Sequence, residues 1–327
     1  MNTANSDNVR RVAVVGAGLI GAGWAAHFLA RGLDVVATDP ALGSEAALRR
    51  QVDRVWPILV KLGLQPGADR ARLTFSANLE AAMAGTDFIQ ENGPERIELK
   101  TALFARIDAA APPDVILASS SSGLKMTDIQ ADCARPERCV IGHPFNPPYL
   151  VPLVEVVGGR RTSDEAVERA MRIYARLGKH PIRLHREIAG HVANRLQAAL
   201  WRETLHLVAE GVVSVADVDA AVCEGPGLRW SVMGPNQIFH LGGGQGGMKH
   251  FLDHLAVPFS RMWADLGRPE FTPELCAKLI AGVTEEVGSR SIDELECERD
   301  RLLAGVLAAR VAATRASAQG SGLSGER

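Results

Sequence analysis

Gly16-Ala17-Gly18-Leu19-Ile20-Gly21 spells G-x-G-x-x-G directly after the β-branched run 11–15 and at the head of a helix-like stretch. A strand that turns tightly into a helix through such glycines is suited to a dinucleotide pyrophosphate. Gly16 permits the tight turn, Gly18 lets backbone N–H groups approach the phosphates, and Gly21 lets helix and strand pack closely, with Leu19 and Ile20 completing the turn. The helix N-terminus adds a positive field. Asp39 stands 21 positions past Gly18 at the end of the next strand-like run, where a carboxylate accepts hydrogen bonds from ribose hydroxyls. Its charge repels a 2′-phosphate, so the expected cofactor is NAD rather than NADP; FAD shares the fingerprint and stays open.

A second group of residues suits proton transfer. Serines fill 119–122 after the apolar run 115–118, and His143 lies in Gly142-His-Pro-Phe-Asn-Pro-Pro148 after the run 140–141. Both fall at the expected carboxyl ends of parallel strands, where open α/β sheets bind ligands. Glu155 sits inside Leu153-Val-Glu-Val-Val157. A carboxylate in so apolar a run needs a partner, because burying it alone is costly. A histidine is the natural one: paired with a carboxylate it keeps one tautomer and suits general-base work.

These residues need a sheet to position them. Strand patterns over 11–15, 34–38, 73–75, 87–90, 114–118, 138–141, 151–157 and 181–184 alternate with helical ones over 18–31, 44–62, 78–84, 95–110 and 164–177. The alternation predicts an α/β fold, a Rossmann-type doubly wound parallel sheet. From 189 onward helical periodicity takes over, which predicts a smaller all-α C-terminal domain. Leu200, Leu205, Val208 and Val212 give that half more apolar face than a lone helix pair covers. The expected organisation is a dinucleotide-binding domain over 1–187, a helical domain over 188–315 and a Ser- and Gly-rich disordered tail over 316–327.

Composition excludes several classes. The chain has 327 residues, enough for about two domains. Its 36 basic and 38 acidic side chains leave a net charge of −2, which argues against nucleic-acid binding. Five cysteines with no C-x-x-C pair form neither a disulfide framework nor a zinc ribbon, so a reducing cytoplasm is expected. The polar first ten residues hold no signal-peptide pattern. Residues 12–30 are apolar or glycine apart from His27 and are long enough to span a bilayer. Their close-set glycines fit a strand-to-helix turn instead, so no membrane segment is expected. His250 and His254 are four apart but lack a third ligand, and no metal site is expected.

Over about residues 10–312 the sequence resembles the short-chain L-3-hydroxyacyl-CoA dehydrogenase superfamily. The resemblance rests on the glycine fingerprint, Ala118-Ser-Ser-Ser-Ser-Gly-Leu124, Gly142-His-Pro-Phe-Asn-Pro-Pro148, Leu153-Val-Glu-Val156, Leu177-Gly-Lys-His-Pro181 and Gly190-His-Val-Ala-Asn-Arg195. It implies that His143 is the catalytic base and that Glu155 supports it. It also implies that Ser122 and Asn194 belong to the catalytic set, that Glu95, Lys100 and Asn146 contact NAD, and that the helical domain forms a homodimer. Two departures stand out: His191 replaces the family's usual phenylalanine, and the serine loop reads S-S-S-S-G where S-N-T-S-S is common.

The substrate implied is a small 3-hydroxy acid. The stretch 44–72 has one lysine and five arginines, unlike the lysine-rich arm that meets CoA in the acyl-CoA branch. Gly227-Leu-Arg-Trp-Ser-Val-Met-Gly-Pro235 is similar to the branch holding L-carnitine and λ-crystallin-like L-gulonate dehydrogenases. Gly246-Gly-Met-Lys-His-Phe251 and the segment 288–300 resemble its carnitine members more closely. Oxidation of L-carnitine to 3-dehydrocarnitine is therefore the expected reaction, with L-gulonate or an acyl-CoA as alternatives and an NAD-binding structural or regulatory protein as the non-enzymatic one. A trimethylammonium group calls for aromatic faces. Phe145, Tyr149, Trp201 and Trp230 are the cage candidates, and Arg195 and Arg229 the candidates for the carboxylate.

Overall fold

The computed structural model describes residues 7–321, with side chains as far as Ala313. The chain divides into two compact units, Met1–Arg195 and Leu196–Arg327.

The first unit is built on one sheet of β1 (Arg11–Val15), β2 (Asp34–Thr38), β3 (Leu73–Phe75), β4 (Phe88–Glu91), β5 (Ile116–Ser119), β6 (Cys139–Pro144), β7 (Leu153–Gly158) and β8 (His180–Arg183). Its spatial order is β3-β2-β1-β4-β5-β6-β7-β8. Helices α1 (Leu19–Ala30), α2 (Ser44–Leu62), α3 (Leu79–Met83), α4 (Ile97–Ala110), α5 (Met126–Ile129) and α6 (Asp164–Arg176) connect the strands. The central strands β4, β5 and β6 are buried along their length because helices cover both faces of the sheet. Ala13, Ile89, Phe104, Ile107, Leu117 and Ile141 belong to one core cluster. Helix α1 is apolar all round, with Trp24, Phe28 and Leu29 fully buried. The strand order reverses between β1 and β4, which leaves a crevice at their carboxyl ends.

One expectation about the sheet is corrected. Strands β1 to β6 are parallel, but β7 runs antiparallel to β6, and β8 follows β7. The connection over 145–152 is too short for the crossover of about a dozen residues that a parallel partner needs. The antiparallel register sets His143 directly opposite Glu155.

The second unit takes most of α7 (Ala193–Ala209), then α8 (Val215–Val222), α9 (Leu228–Trp230), α10 (Pro235–Gly242), α11 (Gly247–Asp265), α12 (Pro273–Val287) and α13 (Ile292–Ser321). Val208, Val215 and Val218 form a small core, and Phe239, Phe251 and Phe259 cluster ring against ring. Of the four side chains expected on an uncovered face, Leu205 and Val208 are buried, while Leu200 and Val212 are exposed. The tail expected to be disordered from 316 is helical to Ser321, because an alanine-rich sequence carries α13 onward. The rest of that tail lies outside the described residues. Among the described residues no helix is long and apolar enough to cross a membrane.

Candidate active site and cofactor crevice

At the head of α1 the glycine turn has the shape its spacing implies. Gly16 has φ +91°, and a Cβ there would lie 2.8 Å from the Asn92 carbonyl. A Cβ on Gly21 would sit 1.9 Å from the Gly16 carbonyl oxygen. Gly18 has open space around it, Leu19 is exposed, and no side chain caps the helix. The first amides of α1 are therefore left uncapped, as an anion at a helix N-terminus requires. Asp39 lies beside the turn: Ala17 N–H donates to its Oδ2 at 2.7 Å, and Ala41 N–H to its Oδ1 at 2.8 Å. Each oxygen keeps a lone pair for a ribose hydroxyl. These residues fit a dinucleotide.

The strand ends beyond the crevice carry a buried polar network. His143 Nδ1 donates to Glu155 Oε2 at 2.9 Å. Glu155 is 0% exposed, and its other oxygen accepts the Val192 and Ala193 amides, at the head of α7, at 2.8 and 3.0 Å. Burial pushes the Glu155 carboxyl up, but the bonds from His143, Ala193 and Val192 outweigh it and hold its pKa below the usual range. The ionised carboxylate fixes the proton on Nδ1 and leaves His143 Nε2 free to accept one.

The serine loop closes on the same point. Ser122 is exposed, its carbonyl accepts from Asn194 Nδ2 at 3.4 Å, and its amide donates to Glu95 Oε1 at 3.0 Å. That oxygen also accepts from Ser121 Oγ at 2.6 Å and from the Gly123 and Leu124 amides. Glu95 thus acts as the anchor of the loop. Burial raises its pKa, but the Ser121, Gly123 and Leu124 bonds and the Lys100 charge bring it below normal. His191 Nε2 donates to the Ser121 carbonyl at 3.0 Å, and its ring centroid lies 5.0 Å from that of His143. Ser122, His143, Glu155 and Asn194 are therefore brought into one connected cluster.

Lys100 departs from its expected contact with NAD. It is 1% exposed, and its ammonium donates to both Glu91 oxygens at 2.8 and 3.0 Å and to the Gly93 carbonyl at 3.0 Å. Those bonds take all three of its protons. Lys100 instead holds Glu91, to which Ser119 Oγ also donates at 2.6 Å. Sequence reading missed Glu91; its signal is an acid at the end of the strand pattern that runs through Phe88 and Ile89.

The substrate candidates are scattered in character. Phe145 packs edge-on against His143 with centroids 5.5 Å apart, and the neighbouring Asn146 is exposed. Tyr149 is buried, which does not suit a cage wall that must face a ligand. In the second unit Trp201 is exposed and lies 5.7 Å from Phe271, a ring that sequence reading did not single out, and Trp230 is exposed on α9. Arg195 and Arg229 are both exposed. Among the described residues no three His, Cys, Asp or Glu side chains group to hold a metal ion.

Comparison with known proteins gives the same picture. The NAD-binding domain of 3-hydroxyacyl-CoA dehydrogenase matches residues 11–188, and the C-terminal domain of that enzyme matches residues 190–279. L-carnitine dehydrogenase of Streptomyces coelicolor is 54% identical over 303 residues, covering 93% of this chain and 95% of that protein. L-carnitine dehydrogenase of Pseudomonas aeruginosa is 50% identical over 301 residues, covering 92% and 94%. Among solved structures, 5-formyl-3-hydroxy-2-methylpyridine 4-carboxylic acid 5-dehydrogenase, an NAD+-dependent dismutase, aligns with a TM-score of 0.77 at 31% identity, over 91% of this chain and 97% of that one. Matched in both its domains, the chain belongs to the 3-hydroxyacyl-CoA dehydrogenase family and is an NAD-dependent oxidoreductase acting on CH–OH groups.

Proposed function

We propose that the chain oxidises the 3-hydroxyl of L-carnitine to 3-dehydrocarnitine. The observation that carries the chemistry is the 2.9 Å contact between His143 Nδ1 and Glu155, which leaves Nε2 as a base. Identity of 50–54% with proteins named L-carnitine dehydrogenase, over nine-tenths of each chain, supports the substrate.

Gly16–Gly21, Asp39 and Asn146 would hold NAD, which when bound would supply the hydride acceptor. His143 Nε2 takes the hydroxyl proton as C3 gives up its hydride. Glu155 stabilises the imidazolium that results. Ser122 and Asn194 hold the oxygen as it becomes a carbonyl. In the reverse direction His143 returns the proton. A positioned base of this kind contributes about 10²–10⁴ in rate. Phe145, edge-on to His143, is the aromatic face that the first unit offers to the trimethylammonium group.

The chain works as a homodimer through its helical unit. Leu200, Val212, Trp263 and Ile280 are exposed there, apolar side chains that a second copy would cover. Five free cysteines fit a reducing compartment, the cytoplasm. Light scattering at working concentration is expected to give twice the chain mass, and a monomer contradicts the dimer.

The function is tested by turnover of L-carnitine, L-gulonate and 3-hydroxybutyryl-CoA side by side with NAD. Carnitine is expected to have the highest kcat/KM. Oxidation of another of the three with none of carnitine overturns the substrate; NAD binding with no turnover of any favours a non-enzymatic role.

A further inference from the structure

His191 is the most unusual residue near the candidate base. Its backbone has φ +50°, a left-handed conformation that costs a non-glycine residue of order 1 kcal/mol and tends to persist where surroundings require it. Here the turn points the Val192 and Ala193 amides at Glu155 while the ring lies beside His143. The side chain is 2% exposed. Nε2 donates to the Ser121 carbonyl, so the Nε2 proton is fixed. Nδ1 is buried and, among the described residues, meets no hydrogen-bonding partner. A buried nitrogen left so is destabilising, unless something that binds there completes it.

Two kinds of group can complete it. A bare Nδ1 accepts from a donor, and a protonated Nδ1 donates to an anion. A 3-hydroxy acid with a quaternary ammonium has one donor, its hydroxyl, and His143 takes that proton. What remains is its carboxylate, which is joined to the reacting carbon through one methylene, two carbon–carbon bonds of about 1.5 Å each. Those two bonds, extended by a hydrogen bond of about 3 Å at each end, are enough to bridge two rings whose centroids lie 5.0 Å apart.

We propose that His191 is a specificity residue that holds the substrate carboxylate through a protonated Nδ1 while Nε2 keeps the serine loop in place. The inference rests on the carnitine reading and adds the group that recognises the acid end. The charged groups facing the ring bear on the proton. Burial and the His143 charge lower the pKa of His191 and outweigh the Ser121 bond and the Glu155 and Glu95 charges that raise it, so the free enzyme holds it below the usual 6.5. A bound carboxylate raises it, so binding takes up a proton, and carnitine affinity falls as pH rises from the value His191 has in the free enzyme to the higher value it has in the complex.

The test is calorimetric titration of the full-length enzyme, saturated with NADH, with L-carnitine and with its amide, carnitinamide, at pH 8 in two buffers of different protonation enthalpy. The native enzyme is expected to favour carnitine and to take up a proton with it. His191→Gln keeps a donor for Ser121 but loses the Nδ1 position. It is expected to weaken carnitine about 10- to 100-fold, to lose the preference over carnitinamide and to lose the proton uptake. His191→Asn keeps a donor near the Nδ1 position and is expected to retain part of the preference without proton uptake. Native preference and proton uptake in His191→Gln, with damage only in His191→Asn, overturn the proposal and leave His191 a support for Ser121. A native complex that binds no carnitine fails the carnitine reading instead. The same series then runs with L-gulonate and its amide, and no His191-dependent preference there overturns the proposal as well.

Discussion

Replacing Glu155 by glutamine tests the dyad with almost no change in shape. The carboxylate accepts three hydrogen bonds, from His143 Nδ1 at 2.9 Å and from the Val192 and Ala193 amides at 2.8 and 3.0 Å. Glutamine satisfies only one side of this arrangement. If its oxygen faces the two amides, its NH₂ points at Nδ1 and drives the histidine proton to Nε2, which removes the base. If its oxygen faces His143, the NH₂ opposes two backbone donors. Either way the imidazolium loses its counter-charge. The expected loss is about 10²–10⁴ in kcat, or roughly 2.7–5.4 kcal/mol at 1.36 kcal/mol per decade. The assay is the initial rate of NADH formation with saturating NAD and L-carnitine, alongside NADH binding by fluorescence, which is expected to survive. Stability gives a second reading. The native Glu155 pKa lies below its ordinary value of 4.5, so its contribution is full above that value and is lost as pH falls through the native one. The stability gap between native enzyme and variant is therefore expected to narrow below pH 4.5. A variant with near-native kcat, or a gap independent of acid pH, refutes the reasoning.

Asp39→Ala removes the acceptor beside the glycine turn, so KM for NAD is expected to rise at least about 10-fold with a smaller change in kcat, and use of NADP to increase relative to NAD; unchanged cofactor kinetics would contradict the assignment. Lys179 is buried with its ammonium on the Pro148 and Val151 carbonyls and 4.8 Å from the Trp24 ring. Burial and the Arg31 charge bring it down to about 7 from an ordinary 10.5. Between those values the unfolded chain holds the extra proton, so this site makes the unfolding free energy rise with pH, by up to roughly 5 kcal/mol over the window. Urea unfolding from pH 7 to 10 is expected to show that rise in the native protein and not in Lys179→Met, and parallel curves would sink it.

What the sequence shows most plainly is what local chemistry decides. The turn 16–21, the helix after it and Asp39 are visible because only a strand turning into a helix makes sense of those glycines. The link between His143 and Glu155 is visible because an acid in an apolar strand must have a partner. The direction of β7 is not visible, since it depends on a short connection rather than on any strand residue. The family resemblance makes Lys100 a contact of NAD, and only the fold turns it onto Glu91. The anchoring of the serine loop by Glu95 and the left-handed turn at His191 are tertiary too. They arise where segments more than 25 residues apart meet. The aromatic candidates are the least legible, because nothing in their spacing separates a ring that will be buried, such as Tyr149, from one that stays exposed, such as Trp201.

The central claim is that the imidazole of His143 removes the hydroxyl proton. Its most direct test is single-turnover NADH formation by His143→Gln mixed with NAD and L-carnitine, measured against the native enzyme, with NADH affinity determined on the same samples. The account expects the variant to bind NADH as the native enzyme does and to form product at least about 10²-fold more slowly. A native rate of product formation in that variant would contradict it.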